Sequence, residues 1–105
     1  MRLDLHNHTR YSSDSRVDPA ALVHRARALG LDGIAITDHN SVAGVRAAID
    51  AAADLPGFFV IPATEVSTAE GHVLAFGVSD PIPRDLAPSE TVERIVAAGG
   101  VAVAA

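Results

Sequence analysis

Histidines and carboxylates recur next to the predicted strands of this 105-residue sequence. They form four groups, which are His6 and His8 with Asp14, Asp38 with His39, Glu65, and His72. The first three groups follow a predicted strand, and His72 begins one. In α/β proteins with parallel strands, ligands and catalytic groups gather at the carboxyl edge of the sheet. We therefore expect the four groups to converge on one site at that edge.

The spacing within these groups favours a metal site. Residues two apart in a strand point to the same side, so His6 and His8 can ligate one ion while Asn7 faces away. Asp14 lies in a serine-rich loop and can reach a neighbouring ion, and the two oxygens of Glu65 can bridge two ions. Each group alone also fits a polar strand end or an exposed turn. Their combination indicates a metal site.

Composition restricts the chemistry of such a site. The chain has no cysteine, so the ligands must be imidazoles and carboxylates, which suit Zn, Mn or Fe. Its net charge is −5 and it has no lysine, which argues against a broad nucleic-acid-binding surface. No apolar run approaches the ~20 residues of a membrane span, and no signal-peptide pattern is present. We expect a cytoplasmic protein with no membrane partner.

The elements that position these residues alternate between strand and helix. Strands are predicted over 2–6, 33–37, 58–62, 71–77 and 101–105, with helices from Pro19 to Gly30, from Ser41 to about Ala53, and from Ser89 to Gly99. This alternation is typical of right-handed parallel βαβ units. No helix follows the last strand, and complete α/β barrels need ~200 residues. We expect one domain over residues 1–105 that is incomplete at its C-terminus, with self-association through the uncovered strand.

Four motifs together resemble those of the polymerase and histidinol phosphatase (PHP) family. They are His6-Asn7-His8-Thr9 with Asp14, Thr37-Asp38-His39, Thr64-Glu65-Val66 and Gly71-His72. The resemblance implies the N-terminal part of a distorted (β/α)7 barrel, with parallel strands and flanking helices. It also implies two or three divalent metal ions at the carboxyl ends of the strands.

The resemblance implies a role for each matching residue. His6 and His8 would hold one ion, Glu65 would bridge it to a second ion that His72 joins, and Asp14 and His39 would hold a third. Asp38 would orient the site, and Asp14, His39 and Glu65 would be the catalytic residues. Arg10 and Arg16 could contact a substrate phosphate or could be exposed loop residues. The family's later ligands, a histidine and an Asp-x-His, would follow Ala105, so each ion would lack one ligand here.

The activity implied by the resemblance is hydrolysis of a phosphoester by a metal-activated water. The substrate would be a small phosphorylated metabolite, a nucleotide or a nucleic-acid end. One alternative is a catalytically incomplete fragment that binds metal or a partner. Another is an amidohydrolase-type barrel, which also begins with His-x-His. Many amidohydrolases bridge their metals with a carboxylated lysine, which this chain cannot supply.

Overall fold

A computed structural model describes all of residues 1–105 as a five-stranded sheet with three helices. The elements in chain order are β1 (Leu3–Asp4), α1 (Pro19–Ala28), β2 (Gly33–Ile36), α2 (Ala43–Ala52), β3 (Phe59–Thr68), β4 (Gly71–Phe76), α3 (Pro88–Ala97) and β5 (Val101–Ala104). The strands lie in the order β1-β2-β3-β4-β5 and curl into a half-barrel. The predicted α/β, barrel-like fold is confirmed.

The first three strands are parallel, as predicted. Gly33 of β2 pairs with Leu3 on one side and with Phe59 on the other. The α1 and α2 helices cover one face of these strands, and every residue of β2 is buried. The core between them comprises Val23, Ala26, Ile34, Ile36, Val45, Ala48 and Phe58. Burial by crossover helices explains why β2 is a continuous apolar run.

The fourth strand contradicts the prediction that all strands are parallel. β4 runs antiparallel to both β3 and β5. Only Ala69 and Glu70 separate β4 from β3. Such a short turn permits a hairpin, whereas a parallel connection needs a dozen or more residues. The reversal brings the beginning of β4 to the edge where β3 ends, and His72 pairs with Ser67.

β3 is also longer than predicted. It spans ten residues and continues past Pro62, where the predicted strand ended. Up to Pro62 it pairs with β2, and from Ala63 it pairs with β4. Glu65 therefore lies within a strand, not after one. The exchange of partners leaves the second half of β3 free to turn away from β2.

The helix ends agree with the predictions to within two residues. Asp18 caps α1 by accepting a hydrogen bond from the Ala21 N–H at 3.2 Å. The α2 helix begins at Ala43, and the Ser41 hydroxyl accepts the N–H of that residue from outside the helix at 3.2 Å. The α3 helix begins at Pro88, because proline is well tolerated in a first helical turn. None of the three helices is long and apolar enough to cross a membrane.

The second half of the sheet has its own small core. Ile95 of α3 packs with Val66, Ala75, Val78 and Ile82. Outside this core, both valines of β5 are exposed, as are Leu3 and Phe59 on the opposite half of the sheet. The predicted self-association through β5 stays a prediction.

Gly44 in the first turn of α2 allows the helix to approach the site-bearing loops. A Cβ atom at this position would lie 2.5 Å from Asp38 Oδ2 and 2.6 Å from Thr9 Oγ1. Asp38 and Thr9 are fully buried and hydrogen-bonded to each other, with Thr9 Oγ1 donating to Asp38 Oδ2 at 2.6 Å. The pair therefore has no space into which it could move.

Gly44→Ala is expected to destabilise the protein by about 1–3 kcal/mol through overpacking. Helix propensity alone would make the same substitution stabilising by about 1 kcal/mol. Urea denaturation followed by circular dichroism measures the difference. Ala43→Gly, at the exposed neighbouring position, is the control and is expected to cost only the propensity difference. A Gly44→Ala protein more stable than the wild type would contradict the packing argument.

Candidate metal centre

The four predicted groups meet at one edge of the sheet. His6 and His8 follow β1, His39 follows β2, Glu65 lies in β3 and His72 in β4. The four imidazole rings form a chain. The distance between ring centroids is 5.2 Å for His6 and His8, 4.6 Å for His8 and His39, and 5.1 Å for His39 and His72. Convergence at the carboxyl edge of the parallel strands therefore occurs as expected.

Glu65 lies at the centre of this chain. Its side chain is 6% exposed, and its Oε1 lies 2.8 Å from Nε2 of both His6 and His8. Its other oxygen, Oε2, lies 3.4 Å from Nδ1 of His72. The two oxygens thus face different histidines, which is the arrangement that a bridging carboxylate requires.

Asp14 approaches the rings from the serine-rich loop. Its Oδ2 lies 2.8 Å from His8 Nδ1 and 3.2 Å from His39 Nε2. Six residues consequently form three overlapping groups whose donor atoms lie within 4.8 Å of one another. The groups are His6, His8 and Glu65; His8, Asp14 and His39; and His39, Glu65 and His72.

The donor set fits divalent metal ions. Each group combines at least one neutral nitrogen donor with one carboxylate, which suits Zn, Mn or Fe. Carboxylates clustered with imidazoles are common in such sites because the carboxylates offset the charge of the ions. Ligation of metal by these six residues stays a prediction.

These contacts shift the pKa values of three of the six side chains, those of Asp14, Glu65 and His8. A hydrogen bond from the Ser12 hydroxyl, together with His8, lowers the pKa of Asp14 to about 2. Burial raises the pKa of Glu65, but hydrogen bonds with His6 and His8 and the charge of His39 outweigh it and lower the pKa overall. Burial lowers the pKa of His8, but its bonds to Asp14 and Glu65 outweigh that effect and raise the pKa overall. Both carboxylates are therefore ionised at neutral pH.

Side-chain hydrogen bonds hold the His6–His8 segment beyond the end of β1. The Asn7 side chain donates to the carbonyls of Asp4 and Ala35 at 3.2 and 3.1 Å. The Asn7 N–H donates to the Thr37 hydroxyl at 3.0 Å. β1 is shorter than the predicted strand over 2–6, so residues 6–8 lie outside regular strand. The alternation still holds there, with both histidines at Glu65 and Asn7 bound to β2.

The Asp38 carboxylate forms no hydrogen bond or ion pair with a histidine. Its carboxylate accepts hydrogen bonds from the N–H and the hydroxyl of Thr9, and its backbone carbonyl accepts the Thr64 hydroxyl at 2.9 Å. Asp38 thus holds the segment after His8 against the start of the loop that carries His39. This arrangement agrees with a residue that orients the site without entering it.

Two residues with a role in the site were missed in the sequence. The Ser12 hydroxyl donates to Asp14 Oδ1 at 2.7 Å and accepts the His39 N–H at 3.1 Å. Its only sequence signal is a hydroxyl two residues before an aspartate, a spacing typical of local side-chain bonding. Asn40, directly after His39, bonds across to β3.

The remaining predicted residues lie around the site. The Arg10 guanidinium pairs with Asp18 and lies 5.3 Å from the centre of the Tyr11 ring, so part of its charge is already compensated. Arg16 is exposed in the loop before α1. His24 is exposed on α1, as expected of a residue outside the site.

His8→Gln is expected to lower the melting temperature of the metal-free protein more at about pH 5.5 than at about pH 8.5. Because the folded-state pKa of His8 is raised above 6.5, its stabilising contribution is present below that value. The contribution is lost as the pH rises through the raised pKa. We expect the gap between wild type and variant to shrink by roughly 2–5 °C across this range.

Thermal unfolding in the presence of a chelator measures this gap. Asp14 stays ionised throughout the range, because its pKa is about 2, so it adds no pH dependence of its own. His24→Gln, on the exposed face of α1, is the matched control for the loss of an imidazole outside the three groups. A His8→Gln gap that is constant or grows with pH would contradict the assignment.

Two curated relatives are similar to most of the chain. An uncharacterized protein of Methanocaldococcus jannaschii is 33% identical over 114 residues, which cover 99% of this chain and 66% of the relative. The 5'-3' exoribonuclease Rnm of Salmonella typhimurium is 34% identical over 98 residues, which cover 87% of this chain. The chain spans only 33% of the length of that enzyme.

Two solved structures share the fold. A protein of Bifidobacterium adolescentis, described as a candidate metal-dependent phosphoesterase, superposes with a TM-score of 0.66 at 38% identity over 72% of this chain and 27% of its own. An amidohydrolase of Chromobacterium violaceum, solved with sulfate and no metal, superposes with a TM-score of 0.67 at 29% identity. That match covers 92% of this chain and 33% of the amidohydrolase.

The sequence model of the PHP domain matches residues 4–95, a range that includes all six residues of the three overlapping groups. The match confirms the resemblance seen in the four motifs. The chain belongs to the PHP family.

Proposed function

We propose that this chain holds two or three divalent metal ions at the carboxyl edge of its sheet and serves metal-dependent hydrolysis of a phosphoester. The observation that carries the proposal is the setting of Glu65. This carboxylate is almost fully buried, with two imidazole nitrogens on one oxygen and a third imidazole on the other. A buried carboxylate with a shifted pKa, set among side chains that can ligate metal, is typical of a functional site.

The six residues have distinct parts in this proposal. His6, His8, His39 and His72 supply neutral nitrogen donors, and Asp14 and Glu65 supply the negative charge that offsets the ions. Metal ions held there would polarise a phosphoryl oxygen and lower the pKa of a water molecule at neutral pH. Asp14 and Glu65 are ionised at that pH, so neither can donate a proton to a leaving group.

The activities ascribed to two similar proteins favour hydrolysis of a phosphoester over hydrolysis of an amide. One is an exoribonuclease and the other is described as a candidate metal-dependent phosphoesterase. The similarity to an amidohydrolase keeps amide hydrolysis as the second candidate. Glu65 belongs to two of the donor groups, and the chain has no lysine to carboxylate, which together favour the first candidate.

The proposed activity is that of a protein as long as the relatives, of which this chain corresponds to only a part. The chain spans 66% and 33% of the length of the two curated relatives. We propose that residues 1–105 form the metal-binding part of a phosphoesterase domain. Two experiments distinguish a catalytic metal centre from one that binds metal at these residues but does not turn over substrate.

Glu65→Gln is expected to lower the metal content of the protein by at least one ion per chain. The amide keeps the size of the side chain but removes the charge that two of the three groups share. Elemental analysis after loading with Mn²⁺ or Zn²⁺ and dialysis measures the content, with about two ions expected for the wild type. Glu70→Gln, on the exposed turn before β4, is the control and should retain the wild-type content. Less than one ion in the wild type would refute the metal centre.

With Mn²⁺, the chain extended to the length of its relatives is expected to release p-nitrophenol from a p-nitrophenyl phosphate mono- or diester. Glu65→Gln should reduce the rate at least ~100-fold, because one substitution disturbs two ion positions. The same proteins are assayed against a p-nitroanilide to test amide hydrolysis. Release of nitroaniline with no release of nitrophenol would favour the amidohydrolase. Bound metal without release of either product would show a binding centre that does not turn over.

A further inference from the structure

Asn40 is the residue next to His39, and its side chain joins the loop after β2 to β3. Its Nδ2 donates a hydrogen bond to the Ser67 hydroxyl at 2.9 Å, and its Oδ1 accepts the Ser67 N–H at 2.9 Å. Asn40 belongs to none of the three donor groups. Both of its bonds end on a residue two positions beyond Glu65 in the same strand.

The backbone around Asn40 explains why a side chain is needed there. β2 ends at Ile36, and beyond it only a single bridge links His39 to Glu65. In this bridge the Glu65 N–H donates to the Asp38 carbonyl at 2.9 Å, and the Asn40 N–H donates to the Glu65 carbonyl at 3.0 Å. The Asn40 carboxamide then makes the next pair of bonds along β3, which the backbone does not make.

The conformation of Asn40 fits this use. Its φ of 51° lies in the left-handed region, which turns the chain away from the sheet directly after His39. Asparagine is one of the few residues that tolerate this region. Its amide also offers a donor and an acceptor side by side, as a backbone peptide does.

We propose that Asn40 is a positioning residue that holds His39 against β3 and so places this imidazole in both donor groups that contain it. The part of this proposal that concerns metal rests on the proposed function. Glu65 pairs with Leu74 of β4, and the His6–His8 segment is bound through Asn7 to β2. The loss of Asn40 bonds therefore affects His39 selectively.

The test compares three variants. Asn40→Gly removes both side-chain bonds and keeps a residue that accepts positive φ. Asp85→Gly is the matched control, since Asp85 also has a positive φ of 67° but lies in the loop before α3. Asn40→Asp keeps an acceptor for the Ser67 N–H and a second oxygen for the Ser67 hydroxyl, and is expected to behave as the wild type.

The first measurement uses the metal-free protein and does not depend on metal binding. In the wild type we expect nuclear Overhauser contacts between the rings of His39 and His72, which are 5.1 Å apart, and between those of His6 and His8. Asn40→Gly should lose the His39–His72 contact, keep the His6–His8 contact and exchange the Ser67 amide proton faster. Retention of the His39–His72 contact in Asn40→Gly, or its equal loss in Asp85→Gly, would overturn the proposal.

The second measurement titrates each protein with Zn²⁺ and follows the imidazole nitrogens by NMR. In Asn40→Gly the His39 signal should respond at about 10- to 100-fold higher Zn²⁺ than in the wild type, the range usual for residues that support ligands. His6, which shares no donor group with His39, should respond as in the wild type, and His24 should not respond. Equal responses of His39 in both proteins would refute the positioning role in metal binding. No response of any imidazole in the wild type would refute the proposed function, while the metal-free contacts would still decide the role of Asn40.

Discussion

The burial of the Glu65 carboxylate is the constraint around which this half-barrel is organised. A carboxylate that is 6% exposed loses most of its hydration, and burial alone would favour its neutral form. The surrounding imidazoles reverse this effect, and its pKa is lowered overall. To compensate the charge of Glu65 in this way, the protein must bring imidazole rings from beyond the end of β1 and from the start of β4 to the middle of β3. The sheet therefore has to curl, and β3 has to exchange one neighbouring strand for another.

Side-chain hydrogen bonds hold the site residues in place where the sheet curves. Where the backbone ladder ends, polar side chains continue it, with Asn7 and Thr37 joining β1 to β2, Asp38 binding Thr9, and Asn40 binding β3. None of these residues supplies a donor atom to the three groups, yet Asn7, Thr9, Asp38 and Asn40 are each adjacent in sequence to a histidine. The rings of His6, His8 and His39 thus lie on segments that are no longer regular strand but are still held by hydrogen bonds. Rigid placement of loop residues in this manner is what a metal centre requires.

The sequence predicted the features that depend on local chemistry. The period of two in His6-Asn7-His8, the Asp18 cap with Pro19, and the apolar run of β2 each express a local rule, and each is present in the structure. The antiparallel course of β4 was missed because the preceding strand was predicted to end at Pro62, which hid the two-residue turn between Thr68 and Gly71. The extension of β3 beyond Pro62 was missed for a related reason. Proline ends most strands, but here the strand changes partners at this residue.

The antiparallel β4 is also what brings His72 into the site. In an all-parallel sheet the first residues of a strand lie at the amino edge, one strand length away from the ends of its neighbours. Because β4 reverses direction, its second residue lies opposite Ser67 near the end of β3, and its ring reaches Glu65 Oε2. The prediction grouped His72 correctly with the other histidines, although the parallel strands on which it relied would have separated them. One two-residue turn therefore determines whether the second oxygen of the central carboxylate has an imidazole partner.

The sharing of residues among the three groups limits how they can be used. His8, His39 and Glu65 each belong to two groups. A neutral imidazole has one nitrogen with a free lone pair and one that carries a proton, so each histidine can ligate in only one group. The other nitrogen then donates to a carboxylate, as His8 Nδ1 is placed to do toward Asp14 while Nε2 faces Glu65. A carboxylate can serve two ions, and a histidine cannot. Glu65 is the one carboxylate that belongs to two groups, so it is the side chain that could serve two ions at once, and Asp14 could serve only the group that it shares with His8 and His39.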